Sequence, residues 1–361
     1  MPQPSEGPAY AAISLPRRSS RTDALARSPA DGDRTLLISE HAVLHDLLDS
    51  SRIRSVARTE AMLAGSAATD FDGAERNGRG DEYRRSQRDP SVRSVGIRTI
   101  FGLALGDHAG GASLDDAIVL DMLGGDGTLA RAFSTLFPGR GALIITSDIS
   151  ADMVAGAIAY GLPAVHEPAT SLLLRDESVD VSIVAYGTHH IPKVELPLVL
   201  KEAGRVLKPG GRIVIHDFLE NSPVSTWFRT VVHRESRTGH DFSHFQRGEL
   251  RSLLEETGFR NVGEQFVYDP FVVTGTSRRA ARQALSQHLL DMYGLRKLIA
   301  RLGEREARDT AYALARGCFR YRYAELGLPN DFGVPGVMTT LVGDRYRAEL
   351  PRVALVAHGD K

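Results

Sequence analysis

The sequence contains one cysteine, Cys318, and no long hydrophobic run. One thiol cannot form a disulfide within the chain, and its scarcity suits a reducing compartment. No apolar stretch reaches the roughly 20 residues that a membrane-spanning helix needs, and the N-terminus lacks the apolar core of a signal peptide. We therefore expect a cytoplasmic protein with no membrane partner.

The sequence also lacks an excess of charge of either sign. Its 44 Lys and Arg residues are balanced by 45 Asp and Glu residues, which leaves a formal net charge of -1. A nucleic-acid-binding surface usually carries a basic stripe. The sequence shows no such stripe, so we expect no nucleic acid as a partner.

From Ala117 onward, central apolar runs alternate with amphipathic stretches. This alternation predicts an α/β fold with a doubly wound, mostly parallel sheet. The front of the chain has helical periodicity, with Ser39 as a candidate N-cap. The run from Pro351 to Ala357 predicts an edge or closing strand of the sheet.

The chain divides by composition and periodicity into segments of different character. The first residues mix Pro, Ser, Arg, Gly and Asp without a period. The predicted organisation is a poorly ordered tail at 1–34, an N-terminal helical cap at 35–116, a core at 117–276, a helical insertion at 277–347 and a closing strand at 348–361.

A glycine-rich stretch opens the predicted core, from Ile118 to Phe133. It predicts a buried strand, an acidic residue at its end (Asp121), a turn, and a helix that begins near Thr128. Glycine removes the Cβ that would keep a nucleotide away from the backbone. In doubly wound sheets, ligands bind beyond the carboxyl ends of the strands. Polar residues follow several predicted strands there, at Asp121, Asp148, 186–190 and 216–217.

Four motifs in this order resemble those of class I S-adenosylmethionine (SAM) dependent methyltransferases, in the branch of small-molecule enzymes similar to those of ubiquinone and menaquinone biosynthesis. The resemblance covers about 117–262 and the closing strand. It implies a Rossmann-like, seven-stranded sheet and SAM as the cofactor. The motifs are Leu120-Asp121 with Gly125 and Gly127, the segment Ser147 to Met153, the segment Asp180 to His190, and the segment Glu202 to Ile215.

The resemblance also implies which residues face SAM. Asp121 would lie near the methionyl amino group, and Asp148 would hold the ribose hydroxyls. Ile149 and Met153 would pack the adenine, with the segment after Glu167 beside it. The implied cofactor-binding residues are Asp121, Leu123, Gly124, Gly125, Gly127, Asp148, Ile149, Met153, Ala169, Thr170, Tyr186 and Gly187.

One position departs from the family's pattern. The family usually has glycine two residues after the acid of the first motif, where this chain has Leu123. Gly124, Gly125 and Gly127 remain, so the turn can shift its flexible residue by one. Leu123 would then narrow the approach to the cofactor or pack beneath it.

The candidate catalytic residues are His189, His190, His216 and Asp217, which follow the fourth and fifth predicted strands. Methyl transfer needs a base only if the acceptor arrives protonated, and histidine is the natural base near neutral pH. Alternatively, His190 packs against the backbone, and the 216–217 pair is a structural strand end. These side chains suit a divalent metal, but no ligand spacing supports one, so no metal site is predicted.

His240, His244 and Trp227 are candidate substrate-binding residues, because they come from a loop and a helix that should border the pocket. The alternative is that Asp241 or Ser243 caps the next helix. Tyrosines of the insertion could line a cap, but aromatic residues at helical spacing commonly belong to the core, which is the alternative for Tyr293, Tyr312, Tyr321 and Tyr323.

Three functions remain open from the sequence. The first is methylation of a small molecule at oxygen, nitrogen or carbon, in specialised metabolism. The second is a SAM-dependent reaction without methyl transfer, such as a cyclisation, and the third is SAM binding without catalysis. The order of the motifs and the turn Lys208-Pro-Gly-Gly211 disfavour a dinucleotide-dependent oxidoreductase. A homodimer is compatible with each function.

Overall fold

A computed structural model describes residues 37–55, 70–73, 75, 78–106 and 115–361. The predicted tail at 1–34 lies outside the described residues. The strands are β1 (Ile118–Asp121), β2 (Leu143–Asp148), β3 (Ala164–His166), β4 (Val179–Ala185), β5 (Leu207–Phe218), β6 (Arg260–Tyr268), β7 (Phe271–Gly275), β8 (Met338–Val342), β9 (Arg345–Leu350) and β10 (Val353–Asp360).

Helices flank these strands. The α-helices are α1 (Ala42–Leu47), α2 (Ser50–Arg54), α3 (Gly80–Ser86), α4 (Ser94–Leu105), α5 (Thr128–Leu136), α6 (Ala151–Ala159), α7 (Leu196–Val206), α8 (Pro223–Trp227), α9 (His233–Glu235), α10 (Glu249–Glu256), α11 (Arg278–Met292) and α12 (Arg296–Cys318). A π-helical segment, Phe228–Val232, joins α8 to α9. Short 3₁₀ helices occur at Pro90–Arg93, Thr188–His190 and Tyr323–Leu326.

The main sheet has seven strands in the order β3-β2-β1-β4-β5-β10-β6. Strand β1 pairs in parallel with β2 on one side and with β4 on the other. The strand order therefore reverses between β1 and β4, where a doubly wound sheet opens its ligand crevice. The fold class predicted from the sequence is confirmed.

Strand β10 lies inside the sheet, where it pairs antiparallel with both β5 and β6. It is therefore a closing strand but not an edge strand. Because β10 runs against its neighbours, its first residues lie at the carboxyl end of β5, with Ala354 opposite Phe218. This register brings Arg352, just before β10, to the functional edge of the sheet.

Each face of the sheet carries its own hydrophobic cluster. One cluster joins α4 and α5 to the sheet and to the insertion helices, through residues such as Phe101, Phe133 and Leu289. The other includes residues of α1, α7 and α10, such as Leu44, Leu200 and Leu254. Helix α4 thus packs directly on the sheet, although the sequence placed it in the N-terminal cap.

The insertion is not purely helical. Helices α11 and α12 are followed by β8 and β9, which form a three-stranded antiparallel sheet with β7 in the order β7-β9-β8. Arg347 and Tyr346 of β9 pair with Thr274 and Gly275 of β7. The segment 277–347 therefore carries part of a second small sheet, which the helical periodicity of its first half does not predict.

Ser39 does not cap a helix. Helix α1 begins at Ala42, and Ser39 Oγ accepts a hydrogen bond from Ala164 N over 3.1 Å. The neighbouring Ile38 bridges Val165 of β3. This segment therefore covers the outer edge of β3, because an extended chain can satisfy the backbone groups exposed there.

The segment that contains α3 contacts the insertion through several polar groups. Arg79 Nη1 donates to the carbonyl of Met292 over 2.8 Å, and Arg85 pairs with Asp291 over 3.2 Å. Glu82 forms an ion pair with Arg296. These contacts join the N-terminal segment around α3 to the insertion at one side of the core. Among the described residues, no helix is both long and apolar enough to cross a bilayer.

Candidate active site

The turn between β1 and α5 approaches β2 closely at its first glycine. Gly124 N donates to the carbonyl of Ser147 over 2.9 Å. A Cβ on Gly124 would lie 2.6 Å from Thr146 Cγ2 and 3.0 Å from an oxygen of Asp121, so only glycine fits. The left-handed residues are Gly125 (φ 57°) and Gly127 (φ 80°). The turn therefore tolerates Leu123 because its unusual backbone angles fall after that position.

Asp148 ends β2 beside this turn. One carboxylate oxygen accepts from Gly125 N over 2.9 Å, and the other accepts from Ser150 N over 2.8 Å. Burial raises the pKa of Asp148 to about 6, helped by the charges of Asp72 and Asp126. Two backbone donors thus fix the carboxylate. The negative charges of Asp72 and Asp126 disfavour its ionised form, and a cationic ligand would offset their effect.

Asp121 lies beneath the turn. It is 1% exposed, and neither oxygen has a hydrogen-bond partner among the described residues. Burial, followed by the charge of Asp148, raises its pKa well above the ordinary value. Asp121 is not among the residues that line the adjoining cavity. It therefore contributes to the field around the turn rather than to the cavity surface.

A cavity of about 200 Å³ opens above the turn, and we call it the cofactor cavity. Half of the residues that line it were predicted from the sequence to bind the cofactor. The predicted residues that line it are Leu123, Gly125, Asp148, Ile149, Met153, Ala169, Thr170, Tyr186 and Gly187. His190, predicted as catalytic, lines it too. Gly124 and Gly127, like Asp121, shape the turn without lining the cavity.

Other residues of the lining were not predicted. Phe71 and Tyr83 come from the N-terminal segment, and their rings meet edge to face at 5.1 Å. The ring of Phe71 also lies 5.1 Å from that of His190. The remaining unpredicted lining residues are Met122, Pro168, Ile191, Pro192, Glu195 and Val199. Phe71 and Tyr83 are isolated aromatic residues in a polar segment, and this was the only feature of the sequence that could have indicated them.

A smaller cavity of about 30 Å³, here the inner cavity, shares Phe71, Tyr83, Tyr186 and His190 with the cofactor cavity. Tyr186 has a left-handed backbone (φ 62°), which is unusual for a bulky residue and is typical of functional sites. The other residues of the inner cavity are Arg79, Arg93, His189, Phe218, Phe228, Met292, Tyr293 and Arg352. Its lining is therefore aromatic with three guanidinium groups.

The wall of the inner cavity is held by a buried ionic network around Asp269, which is 0% exposed. Arg352 donates to its carboxylate over 2.5 Å and to its carbonyl over 2.8 Å. Tyr186 Oη donates to the same carboxylate over 3.3 Å. The Arg93 guanidinium lies 4.5 Å from the centre of the Tyr186 ring. These contacts fix Tyr186 in its unusual conformation.

The predicted site residues His216 and Trp227 line neither cavity. His216 is fully buried beneath Tyr186, with ring centres 4.3 Å apart, and its Nε2 lies 3.5 Å from Asp269. It can position Tyr186 but does not line either cavity. Trp227 is also fully buried, against Tyr293 and Phe319, so it belongs to the core. Its neighbour Phe228 lines the inner cavity instead.

His189 and Asp217 form a buried pair at the inner cavity. His189 Nδ1 lies 2.9 Å from one oxygen of Asp217 and 3.0 Å from the other. An ionised carboxylate can only accept hydrogen bonds, so Nδ1 carries the proton and Nε2 carries the lone pair. Although burial alone would raise the pKa of Asp217, its pairing with His189 holds that pKa well below its ordinary value.

His240 and His244 lie behind His189, with ring centres 5.1 and 4.7 Å from its ring. Both line a third cavity of about 320 Å³, here the outer cavity. Burial lowers the pKa of His189, lowers that of His190 well below its ordinary value, and lowers that of His240 to about 2. These three imidazoles are therefore neutral near pH 7.

The sheet order, the glycine turn and the carboxylate at the end of β2 match the arrangement expected of class I SAM-dependent methyltransferases. Residues 103–264 match the family model described as "Methyltransferase domain". This part of the chain belongs to that class, as the resemblance implied, and SAM is its cofactor. The fixed Asp148 carboxylate and the unpartnered acid beneath the turn fit a ligand with hydroxyl groups and positive charge.

Curated relatives match over the same region. The chain is 28% identical over 167 residues to the ubiquinone/menaquinone biosynthesis C-methyltransferase UbiE of Syntrophotalea carbinolica, which covers 40% of this chain and 69% of that protein. It is 33% identical over 114 residues to the demethylmenaquinone methyltransferase of Mycolicibacterium vanbaalenii, which covers 31% and 46%. The chain thus spans about half to two thirds of these relatives.

Solved structures resemble the fold at low identity. The YcgJ protein of Bacillus subtilis has a TM-score of 0.41 and 18% identity, and the match covers 74% of this chain and 97% of that one. The [4+2]-cyclase SpnF has a TM-score of 0.42 and 16% identity, with coverage of 74% and 80%.

Proposed function

We propose that the protein transfers the methyl group of SAM to a small hydroxyaromatic acceptor. The observation that carries this proposal is the junction of the cofactor and inner cavities, which share Tyr186 and His190. A donor in the first cavity and an acceptor in the second would meet at that junction. Such positioning supplies much of the rate enhancement of a displacement reaction.

Each wall of the cofactor cavity would contact a different part of SAM. When bound, SAM supplies an electrophilic methyl group on a sulfonium. Asp148, held by backbone donors, would accept the ribose hydroxyls. Ile149, Met153 and Ala169 form an apolar surface suited to adenine. At the other end, Tyr186 would face the methionine portion.

The inner cavity favours an aromatic acceptor that carries an oxygen. Its aromatic rings can stack on an acceptor ring, and the guanidinium groups of Arg93 and Arg352 favour electron-rich or acidic groups. The His189 imidazole, oriented by Asp217, presents a nitrogen lone pair to an acceptor hydroxyl. Methylation at that oxygen or at an adjacent ring carbon would both use this arrangement, and the relative from Syntrophotalea carbinolica is named a C-methyltransferase.

The acceptor must widen the inner cavity to enter it. A volume of about 30 Å³ holds roughly one water molecule. Phe71 and Tyr83 are part of the shared wall, and they belong to the N-terminal segment that contains α3. We propose that this segment moves to admit the acceptor and then closes over it, which excludes water from the reaction.

The proposal is tested with SAM that carries a deuterated methyl group and a panel of phenols, catechols and quinols. We expect S-adenosylhomocysteine and a product heavier by the labelled methyl. Methylthioadenosine instead would indicate a SAM reaction of another kind. Intact SAM binding without release of S-adenosylhomocysteine across the panel would contradict the proposed acceptor class.

A further inference from the structure

Three histidines converge between the inner and outer cavities. His189 and His190 come from the 3₁₀ turn after β4, and His240 comes from the loop after α9. One ring nitrogen from each lies within 4.8 Å of the corresponding nitrogens of the other two. Around one tetrahedral zinc ion, with Zn–N bonds of about 2.0–2.1 Å, such nitrogens lie roughly 3.4 Å apart. Small rotations of the rings would close this difference.

Two ring nitrogens of this group have no hydrogen-bond partner among the described residues. His189 Nε2 and His240 Nε2 are buried and accept no hydrogen bond from any described residue. Both side chains are more than nine-tenths buried. Burying an imidazole nitrogen without a partner costs free energy, and a bound metal ion would remove that cost.

The surroundings position two of these rings, those of His189 and His240. Asp217 fixes His189 with Nδ1 protonated, which is the arrangement of a carboxylate–histidine–metal site. The His240 ring stacks on Phe228 at 4.1 Å, and His240 N donates to His233 Nδ1 over 3.2 Å. These two rings are therefore oriented before any ion arrives.

Asp217 orients rather than coordinates. Its oxygens already accept from His189 N over 2.8 Å and from Phe218 N over 2.6 Å, in addition to His189 Nδ1. His244 Nδ1 lies 3.3 Å from the same carboxylate. Its capacity as an acceptor is therefore filled. The group of His189, Asp217 and His244 can also be drawn around an ion, but only by breaking these hydrogen bonds.

We propose that His189, His190 and His240 bind a divalent transition-metal ion of the zinc type, with Asp217 as the outer carboxylate. Neutral imidazoles suit zinc, iron, copper and nickel, whereas magnesium and calcium prefer oxygen ligands. The outer cavity, which His240 lines, provides a route of entry. The nearby Arg79 cation is neutralised by Asp70, 2.5 Å away.

The site would have an open coordination position toward the inner cavity, because His189 and His190 line that cavity. Three protein ligands and one open position are typical of catalytic zinc. An acceptor oxygen bound there would be held as its anion, after loss of its proton to solvent, beside the donor cavity. The ion would then take the place of His189 Nε2 as the group that faces the acceptor. This role rests on the proposed function, whereas the binding of the ion does not.

Metal-stripped protein titrated with Co²⁺ tests the site, because nitrogen-coordinated Co²⁺ absorbs visible light. We expect one equivalent to bind the wild type with a Kd below about 10 µM, and binding at least about tenfold weaker in His240→Phe. This variant keeps an aromatic ring against Phe228. His45→Phe, at an exposed histidine far along the chain, is the matched control and should bind as the wild type does.

The measurement requires neither SAM nor an acceptor, so its failure is distinguishable from failure of the proposed function. A circular dichroism spectrum and a thermal unfolding transition equal to those of the wild type show that His240→Phe is folded. The absence of a visible band at about 100 µM Co²⁺, roughly tenfold above the expected Kd, would overturn the site. Equal affinity in His240→Phe and the wild type would overturn the assignment of its ligands.

Discussion

The carboxylate of Asp217 lies 2.9 Å from His189 Nδ1, and the pair is buried at the inner cavity. Asp217 accepts from the backbone N of the same residue, so it fixes both the position and the tautomer of the imidazole. The neutral ring therefore presents Nε2 to the cavity. Asp217 therefore positions His189, whereas a histidine that only packs in the core would have no such partner.

Asp217→Asn should reverse the tautomer, because the amide can donate to Nδ1 and would leave the proton on Nε2. Spectra of ¹⁵N-labelled histidine should show a protonated Nδ1 for His189 in the wild type and a protonated Nε2 in the variant. Turnover should fall by about tenfold or more, with SAM affinity unchanged.

Asp176→Asn is the matched control for Asp217→Asn, because Asp176 is exposed and pairs with Arg205 at the surface. Its spectra and turnover should equal those of the wild type. Unchanged histidine spectra in Asp217→Asn would show that the carboxylate does not set the tautomer.

Asp148→Ala should weaken SAM binding by at least about tenfold, because it removes the acceptor of the ribose hydroxyls from the cavity wall. Titration calorimetry measures the change. Asp344→Ala, in the exposed turn between β8 and β9, removes a carboxylate without touching a cavity and should leave the affinity unchanged. Equal affinity in both variants would refute the ribose role of Asp148.

The affinity for SAM should also depend on pH through Asp148. Its pKa in the free protein is raised to about 6, chiefly by burial. SAM needs the ionised carboxylate, so affinity should rise between pH 5 and pH 7 and then level off. Asp148→Asn should show no such rise. A wild-type affinity that is flat over this interval would contradict the assignment.

Glu167 should make the protein less stable as the pH rises. Burial raises its pKa from 4.5 to about 7, so the folded state holds this proton more tightly than the unfolded state does. Its contribution is therefore most favourable below pH 4.5, declines as the pH rises to 7, and is then constant. Glu167→Gln should raise the free energy of unfolding at pH 8 by up to roughly 3 kcal/mol and leave it unchanged near pH 4.

Denaturant unfolding at pH 4 and at pH 8 measures this effect. Glu202→Gln provides a comparison of opposite sign. Although burial would raise the pKa of Glu202, its bonds to Arg205 lower it, so its loss should destabilise the protein at pH 8. Glu167→Gln no more stable than the wild type at pH 8 would show that the buried carboxylate carries no such penalty.

Gly124→Ala should destabilise the protein by about 1–3 kcal/mol, because the added Cβ would lie 2.6 Å from Thr146 Cγ2. Gly124→Ala combined with Thr146→Ser removes that methyl group and should recover much of the loss. Gly102→Ala in α4 is the control, since its Cβ would meet nothing within 4 Å. Thermal unfolding measures all three, and a neutral Gly124→Ala would contradict the close approach of the turn.

Many of the residues predicted to bind the cofactor line one cavity, because they lie in local motifs. A glycine turn, an acid after β2 and a polar turn after β4 occupy fixed places in a doubly wound sheet. Asp148 and Tyr186 could therefore be placed from their own neighbourhoods. The predicted parallel sheet also places Asp148 and Tyr186 at the same edge, beyond the carboxyl ends of the strands.

The acceptor side could not be predicted in the same way. Arg79, Arg93 and Arg352 come from distant parts of the chain, and only the tertiary fold brings them to one cavity. Trp227 was chosen where Phe228 lines the wall.

Titration of the purified protein with SAM tests the central claim most directly, because every proposed step begins with SAM in the cofactor cavity. We predict one SAM bound per chain at pH 8, with a Kd of about 1 mM or tighter, and a clear loss of affinity in Asp148→Ala. No heat of binding at millimolar SAM, in protein shown to be folded, would contradict the account.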